Sequence, residues 1–410
     1  MENKKVVLAF SGGLDTTFCA IYLKESLGFD VYAVLINTGG FDGAEVKRIE
    51  EHAYRIGVKE FSCIDLNEEF YRDCLRFLIY GNVLKNQTYP LSVSAERIFQ
   101  ARAVALYARS IGAQALAHGS TGAGNDQVRF DMIFQILCPE MEIITPIRDL
   151  KLSREAEIDF LKKHGVDYAY EKAAYSINKG IWGTSVGGKE TLTSKDALPE
   201  TAYPSQVSRT DSQLLEIEFL KGEIHAVDGK TFKSPVEAIQ YIEEKASPYG
   251  IGRDTHVGDT IIGIKGRVGF EAAAALIIIK AHYLLEKHTL TRHQLNWKEQ
   301  IGNFYGNLLH EGLFLDPIMR NMECFLADTQ KTVNGKVFIE LLPYRFILKG
   351  IESPNDLMQS RFGSYGEMNK SWSGEDVKGF SKIAANQMAI FHSVNPSFGQ
   401  ESTQEKGSHE

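Results

Sequence analysis

Apolar and polar positions alternate in two registers along the first 150 residues. Short apolar runs at Val6–Phe10, Val31–Ile36, Glu60–Ile64, Ala115–His118 and Glu142–Ile147 read as strands. Between them, Thr16–Glu25, Ala44–Arg55 and Ala95–Ser110 carry the helical period. Strands alternating with helices predict a parallel sheet with helices on both faces, so the chain is expected to be an α/β protein. In such sheets ligands bind beyond the carboxyl ends of the strands. Two glycine-rich loops leave strands at that end.

The pattern changes near Tyr168. Residues 168–210 are rich in Gly, Ser, Thr and Lys and show no clear period. Leu214–Phe219 and Ile224–Val227 predict a hairpin around Lys221-Gly222-Glu223. Ser234-Pro235-Val236-Glu237 has the composition of a capped helix start. Long helical patterns follow over Glu271–Lys287 and Arg292–His310, and another begins at Asp316-Pro317. Lys336–Leu342 and Arg345–Leu348 predict a second hairpin. The expected organisation is an N-terminal nucleotide-binding domain over residues 1–167, a second domain of α+β type over 168–362, and a polar tail over 363–410. The tail holds one helix candidate, Glu375–Phe391, which either docks on another subunit or covers its own chain. No internal repeat is present.

Composition narrows the possibilities. The chain has 410 residues, 24% of them charged, with a net charge of -8. That balance argues against a protein built to coat nucleic acid, where a basic face is the expected footprint. The longest strongly apolar run, Ala272–Ile279, falls far short of the ~20 residues that span a bilayer. The amino-terminal sequence has no signal-peptide pattern. The five cysteines are odd in number and form no C-x-x-C pair, which favours a reducing compartment over a disulfide framework or zinc site. His282, His288, His293 and His310 lack metal-ligand spacing, and Trp182, Trp297 and Trp372 are isolated.

The first loop, Ser11-Gly12-Gly13-Leu14-Asp15-Thr16-Thr17, joins a strand to a helix. Glycines allow close backbone approach, and a helix start offers free N–H groups to an anion. The hydroxyls of Ser11, Thr16 and Thr17 can donate to phosphate oxygens. A carboxylate beside a phosphate makes sense for Asp15 only if Mg²⁺ sits between them. The Walker pattern is absent, because Ile224 stands where Gly229-Lys230-Thr231 would need its first glycine. The string instead resembles the pyrophosphatase loop of enzymes that split ATP to AMP and pyrophosphate.

The second loop, HGSTGAGNDQVRFD from His118 to Asp131, packs three glycines with convergent polar groups. Thr121, Asn125 and Asp126 together could hold an α-amino acid, Asp126 taking the ammonium. Arg129 offers a planar fork for a carboxylate or phosphate. A third motif, Gly183-Thr184-Ser185-Val186-Gly187, fits the hydrolase nucleophile pattern. That reading needs a helix directly afterwards, and Lys189–Thr193 does not look like a helix start.

AFSGGLDTT together with HGSTGAGNDQVRF resembles the argininosuccinate synthase family, and the resemblance extends from Lys5 to about Ser353. It implies an ATP-dependent ligase that joins citrulline to aspartate and releases AMP and pyrophosphate. It also implies a synthetase domain, a C-terminal oligomerisation helix, a homotetramer and a cytoplasmic location. Citrulline, aspartate and ATP are the expected partners, with neither nucleic acid nor membrane. By the same resemblance, ATP lies against Ala9, Phe10, Ser11, Gly12, Gly13, Leu14, Asp15, Thr16 and Thr17, with Ile36 and Gly119 as further contacts. Citrulline falls to Tyr89, Ser94, Asn125, Arg129, Ser176 and Ser185, and aspartate to Thr121, Asn125 and Asp126. Asp126, Arg129 and Arg97 are expected to carry catalysis. Two positions depart from the family pattern: Gly258 stands where a citrulline-binding Glu is usual, and Phe270 replaces a Tyr. His256, Asp259 and Glu271 are the nearby polar residues that could compensate. Two rival readings, a tRNA-modifying enzyme and a non-catalytic nucleotide sensor, fit less well. The first wants a catalytic cysteine and a basic face, and the second needs no amino-acid site.

Overall fold

The computed structural model describes residues 4–166, 175–359, 362 and 371–396. The expected domain edges at 167/168 and at 363 fall outside the described residues. The first five strands are β1 (Lys5–Ala9), β2 (Asp30–Asn37), β3 (Glu60–Asp65), β4 (Ala115–Ala117) and β5 (Glu142–Ile144). They form one parallel sheet in the order β3-β2-β1-β4-β5. Alternate residues point to opposite faces of a strand. Val7, Val34, Ile36 and Leu116 accordingly join one apolar core, and Val6, Leu8, Ala33, Leu35 and Ala117 the other. The expected α/β class is borne out. Strand order reverses between β1 and β4, and the two glycine-rich loops leave these two neighbours at the crevice of the switch point.

The helices that matter for the site are α1 (Leu14–Ile21), α2 (Gly43–Arg55), α3 (Ser92–Ser110), α4 (Asp126–Leu137) and α5 (Arg154–Lys163). The sequence reading missed α5 and a helical stretch between Asn67 and Tyr80, and it took the start of α4 for loop. Asp126 and Arg129 therefore stand on the first turn of a helix, three residues apart, on one face.

The second half has two antiparallel sheets. Their strands are β6 (Ser176–Gly180), β7 (Gly183–Gly187), β8 (Gln213–Leu220), β9 (Glu223–Val227), β10 (Lys230–Thr231), β11 (Arg253–Asp259), β12 (Lys265–Glu271), β13 (Gly335–Leu342) and β14 (Arg345–Glu352). One sheet runs β10-β9-β8-β13-β14 and contains both hairpins expected from the sequence; the other runs β11-β12-β7-β6. Helices α6 (Pro235–Ala246), α7 (Ala273–Thr289), α8 (Arg292–His310) and α9 (Pro317–Thr329) complete this half. Ser234 caps α6 as expected, but Glu237 returns its bond to the Lys233 N–H, one residue before the cap. Residues 1–355 form one compact unit.

The carboxyl-terminal unit, 356–410, carries α10 (Gly374–Ala384) and α11 (Asn386–Val394), where the sequence suggested one continuous helix. Ser373 and Asp376 form a reciprocal cap at its start. Val377, Phe380, Ile383, Met388 and Ile390 are exposed on it. Among the described residues no helix is long and apolar enough to cross a membrane.

Candidate functional site

The first loop is shaped for an anion. Gly12 takes φ +73°, and a Cβ there would press on Ile49 at 3.2 Å. Gly13 is the N-cap of α1, and its position carries no side-chain cap, so the first N–H groups of the helix are left for a ligand. Ser11 Oγ and Thr16 Oγ1 lie 3.3 Å apart across the loop. Thr17 is fully buried, and its hydroxyl meets His52 Nε2 at 2.9 Å, so it points into the fold and not toward the loop surface. Phe10, Leu14 and Ile36 are buried in the cores, so only their backbones can face a nucleotide. Ala9 closes β1.

Asp15 sits where the two loops touch. A Cβ at Gly119 would lie 3.3 Å from the Asp15 Cβ, an approach that a larger residue would prevent. Burial raises the Asp15 pKa, and its carboxyl group meets that of Glu157 on α5. Glu157 is 3% exposed, burial and Asp15 raise its pKa, and its Oε2 has no partner among the described residues. A half-buried acid in contact with a buried one needs a shared proton or a cation between them.

The second loop is pinned at both ends. His118 Nε2 meets Asp131 at 3.0 Å, and its Nδ1 accepts from the Ser120 N–H at 3.2 Å. Gln127 Nε2 donates to the carbonyls of Gly122 and Gly124. Thr121 is exposed, and Asn125 Oδ1 accepts from the Ile261 N–H at 2.8 Å, which ties the turn after β11 to this loop.

Asp126 lies between two arginines. Arg97 Nε reaches its Oδ2 at 3.1 Å and Arg129 Nη1 its Oδ1 at 2.8 Å. Burial opposes the Asp126 charge, but the two guanidinium groups overcome it and hold the carboxyl below its usual range. Arg129 is 3% exposed, and its Nε and Nη2 both donate to the His310 carbonyl, at 3.0 and 2.8 Å. The expectation that its fork is open to a carboxylate meets a guanidinium already occupied by the protein. Arg97 Nη2 donates to Asn178 Oδ1 at 2.8 Å, which joins α3 to β6.

The expected acceptor residues converge here. The Tyr89 hydroxyl is buried and accepts from the Val93 N–H at 3.1 Å. Ser94 Oγ lies 3.4 Å from His310 Nδ1. Burial and the Arg129 charge lower the His310 pKa to about 3, so this imidazole is neutral. Ser185 on β7 pairs with Asn178 on β6, and Ser176 lies two residues along the same strand. In an antiparallel sheet, paired residues and residues two apart share a face. Ser176, Asn178 and Ser185 therefore look the same way as the arm that holds Arg97. Ser185 lies mid-strand, and only a 3₁₀ turn follows, at Lys189–Leu192. The hydrolase reading fails on that geometry.

The sequence reading passed over His310, Asn178, Glu96 and Glu157. His310 acts chiefly through its backbone carbonyl, which leaves no residue-type signal. Glu96 precedes Arg97 on α3, is 1% exposed, and has an unpartnered Oε1 among the described residues. Burial pushes its pKa up to about 8.

Comparison with known proteins identifies the family. Residues 5–167 match the profile of the arginosuccinate synthase N-terminal HUP domain, and residues 175–391 that of the arginosuccinate synthase C-terminal domain. The chain is 36% identical over 388 residues to the argininosuccinate synthase of Methanocaldococcus jannaschii, covering 94% of this chain and 97% of that protein. It is 34% identical over 393 residues to that of Dictyoglomus thermophilum, covering 95% and 98%, and 35% identical over 388 residues to that of Ligilactobacillus salivarius, covering 93% and 95%. Both halves match over nearly their full length, so the chain belongs to the argininosuccinate synthase family, the ATP-dependent ligases that condense citrulline with aspartate in arginine biosynthesis.

Proposed function

We propose that the three substrates meet at the switch point between β1 and β4, and that the observation carrying this reading is the Arg97–Asp126–Arg129 cluster at the end of the second loop. ATP lies along Ala9 to Thr17, with its phosphates on the loop of Ser11 to Thr16 and the start of α1. Ile36 and Gly119 contribute backbone to the nucleotide. Aspartate lies on Thr121, Asn125 and Asp126, and citrulline against Tyr89, Ser94, Asn125, Ser176 and Ser185. Arg129 acts by fixing Asp126 and the His310 carbonyl.

Half-buried Asp15 and buried Glu157, with its unpartnered oxygen, offer carboxylate oxygens suited to a hard cation, so these two residues would hold Mg²⁺. When bound, the ion would neutralise phosphate charge. The residues themselves hold the reactants in register, which can contribute roughly 7–11 kcal/mol.

The ureido oxygen of citrulline attacks the α-phosphorus. The new O–P bond forms as the bond to the β-phosphate bridging oxygen breaks, and pyrophosphate leaves from the first loop. The aspartate amine then attacks the activated carbon. The C–O bond to AMP breaks, the amine loses its proton, and the ureido oxygen departs with AMP. Citrulline labelled with heavy oxygen in the ureido group should therefore pass its label to AMP, read by mass spectrometry. Unlabelled AMP, or ADP and phosphate as products, would overturn this order of events.

The assembly is a homotetramer that uses α10 and α11, whose exposed Val377, Phe380 and Ile383 suit burial against another copy. The exposed free thiols of Cys63 and Cys324 suit a reducing cytoplasm.

A further inference from the structure

Three polar residues near Gly258 could meet the amino end of the acceptor, and the register of the β11-β12-β7-β6 sheet separates them. Ser185 pairs with Phe270, and Asp254 pairs with Phe270 from the other side. His256, opposite Val268, and Gly258, opposite Gly266, lie on that same face. The face that carries Ser176, Asn178 and Ser185 thus continues across the sheet to His256. Glu271 and Asp259 have the opposite parity. Glu271 is buried on the far side, where Arg253 Nε meets it at 2.8 Å and the Ser205 N–H also donates to it. Asp259 is exposed and paired with Lys265 at 2.6 Å.

His256 is the one of the three that turns toward the acceptor residues. It is 6% exposed, and its ring stacks on Tyr89 with centroids 5.2 Å apart. Phe270 packs on the other flank of Tyr89, at 5.3 Å. Gly258 makes the placement possible, because a Cβ there would sit 2.6 Å from His256 Nε2. Asn86 Nδ2 donates to the Val257 carbonyl at 3.0 Å and holds this strand against the segment that carries Tyr89. The other ring nitrogen, Nδ1, is buried with no partner among the described residues. A buried polar atom without a partner is costly, and a ligand that supplies a donor removes that cost.

We propose that His256 is a specificity-determining residue of the acceptor site, its Nδ1 accepting a hydrogen bond from the α-amino group of citrulline. The proposal rests on the acceptor reading given above. Burial and the nearby Lys85 cation lower the pKa of the ring and favour its uncharged form. An uncharged acceptor gives the α-ammonium one hydrogen bond without the Coulombic hold of a carboxylate. The site therefore depends weakly on that ammonium and takes ureido acids that lack it.

The test uses the full-length enzyme with citrulline and with 5-ureidopentanoate, which is citrulline without its α-amino group, and follows pyrophosphate release. His256→Ala should raise KM for citrulline roughly tenfold, the scale of one lost hydrogen bond, and leave kcat within about twofold. It should leave KM for 5-ureidopentanoate unchanged. Gly258→Ala, which displaces the ring while keeping it, should shift KM in the same selective way, and His256→Asn should recover part of the loss. An equal rise for both acceptors would reduce His256 to a packing residue and overturn the proposal, as would an unchanged KM for citrulline. Ser94→Ala separates the underlying reading. It should raise KM for both acceptors, and if it changes neither, the acceptor site lies elsewhere.

Discussion

Replacing Arg129 with alanine removes four hydrogen bonds from a side chain that is 3% exposed, three of them to His310. The His310 carbonyl loses both of its guanidinium donors. Asp126 keeps Arg97 but loses the partner that balances it on the other oxygen. The Asp126 side chain is 35% exposed and keeps Arg97, so the cost stays below that of stranding a fully buried charge, but the variant should still unfold at lower urea. The same change loosens Asp126 at the aspartate site. We expect a loss of transition-state stabilisation of about 2.7–4 kcal/mol, the size of one lost preorganised donor. That corresponds to roughly a hundred- to a thousandfold in kcat/KM for the full reaction. Arg129→Lys keeps a cation for Asp126, but a point charge cannot serve both Asp126 and the His310 carbonyl. Its activity should recover further than its stability. Pyrophosphate release and urea unfolding on the same preparations give both numbers. If Arg129→Ala kept kcat/KM within about threefold of the parent, the role assigned to the cluster would have to be withdrawn.

Glu96 has a folded-state pKa of about 8 against an ordinary 4.5, so its stabilising proton is fully present below 4.5 and lost as pH rises through 8. Parent protein should lose urea resistance between pH 5 and pH 8, and Glu96→Gln should lose less; parallel profiles would refute the assignment. Gly180 packs its backbone on the Glu96 carboxyl group, and a Cβ there would overlap it. Gly180→Ala should cost about 1–3 kcal/mol by overpacking, and most of that cost should vanish in a Glu96→Ala background, as a double-mutant cycle would report. Lys298 and Glu286 form a buried pair at 2.9 Å, so Lys298→Ala should destabilise by about 3–5 kcal/mol, read as a fall in denaturation midpoint. Phe380→Asp with Ile383→Asp should lower the assembled mass seen by light scattering without unfolding the 1–355 unit; an unchanged mass would rule out α10 as a subunit contact.

Much of the first domain was legible because its strands are buried on both faces and read as plain apolar runs. Val6–Phe10 and Val31–Ile36 needed no further signal, and the glycines of the first loop marked the tight turn that the structure has at Gly12. The helix at Arg154–Lys163 was hidden by its composition, REAEIDFLKK, in which six charged residues surround Ile158, Phe160 and Leu161, only the last of them fully buried. The start of α4 was misread because Asn125-Asp126 follows so many glycines that the loop seemed to continue. The tertiary partners of Arg129 could not be read at all. Its fork ends on a backbone carbonyl at His310, 181 residues away, and carbonyl positions leave no trace in residue type.

The β11-β12-β7-β6 sheet was invisible for a different reason, and that reason bears on function. Period-two alternation marks a strand when one face is packed with apolar side chains. On the face of this sheet that carries Ser185 and His256, the positions read Ser176, Asn178 and Gly180 on β6, then Gly183, Ser185 and Gly187 on β7. On β12 and β11 they include Gly266, His256 and Gly258. Glycine weakens a strand and is retained where another backbone or a ligand comes close. Gly180 makes room for the Glu96 carboxyl group, and Gly258 for the imidazole of His256. Val268 and the buried Phe270 share this face, but with so many of its positions trimmed it carries little alternation for a sequence reading to find. The loss of pattern and the open space on this face have the same cause, and on the reading proposed above this least legible sheet is the one that completes the acceptor site.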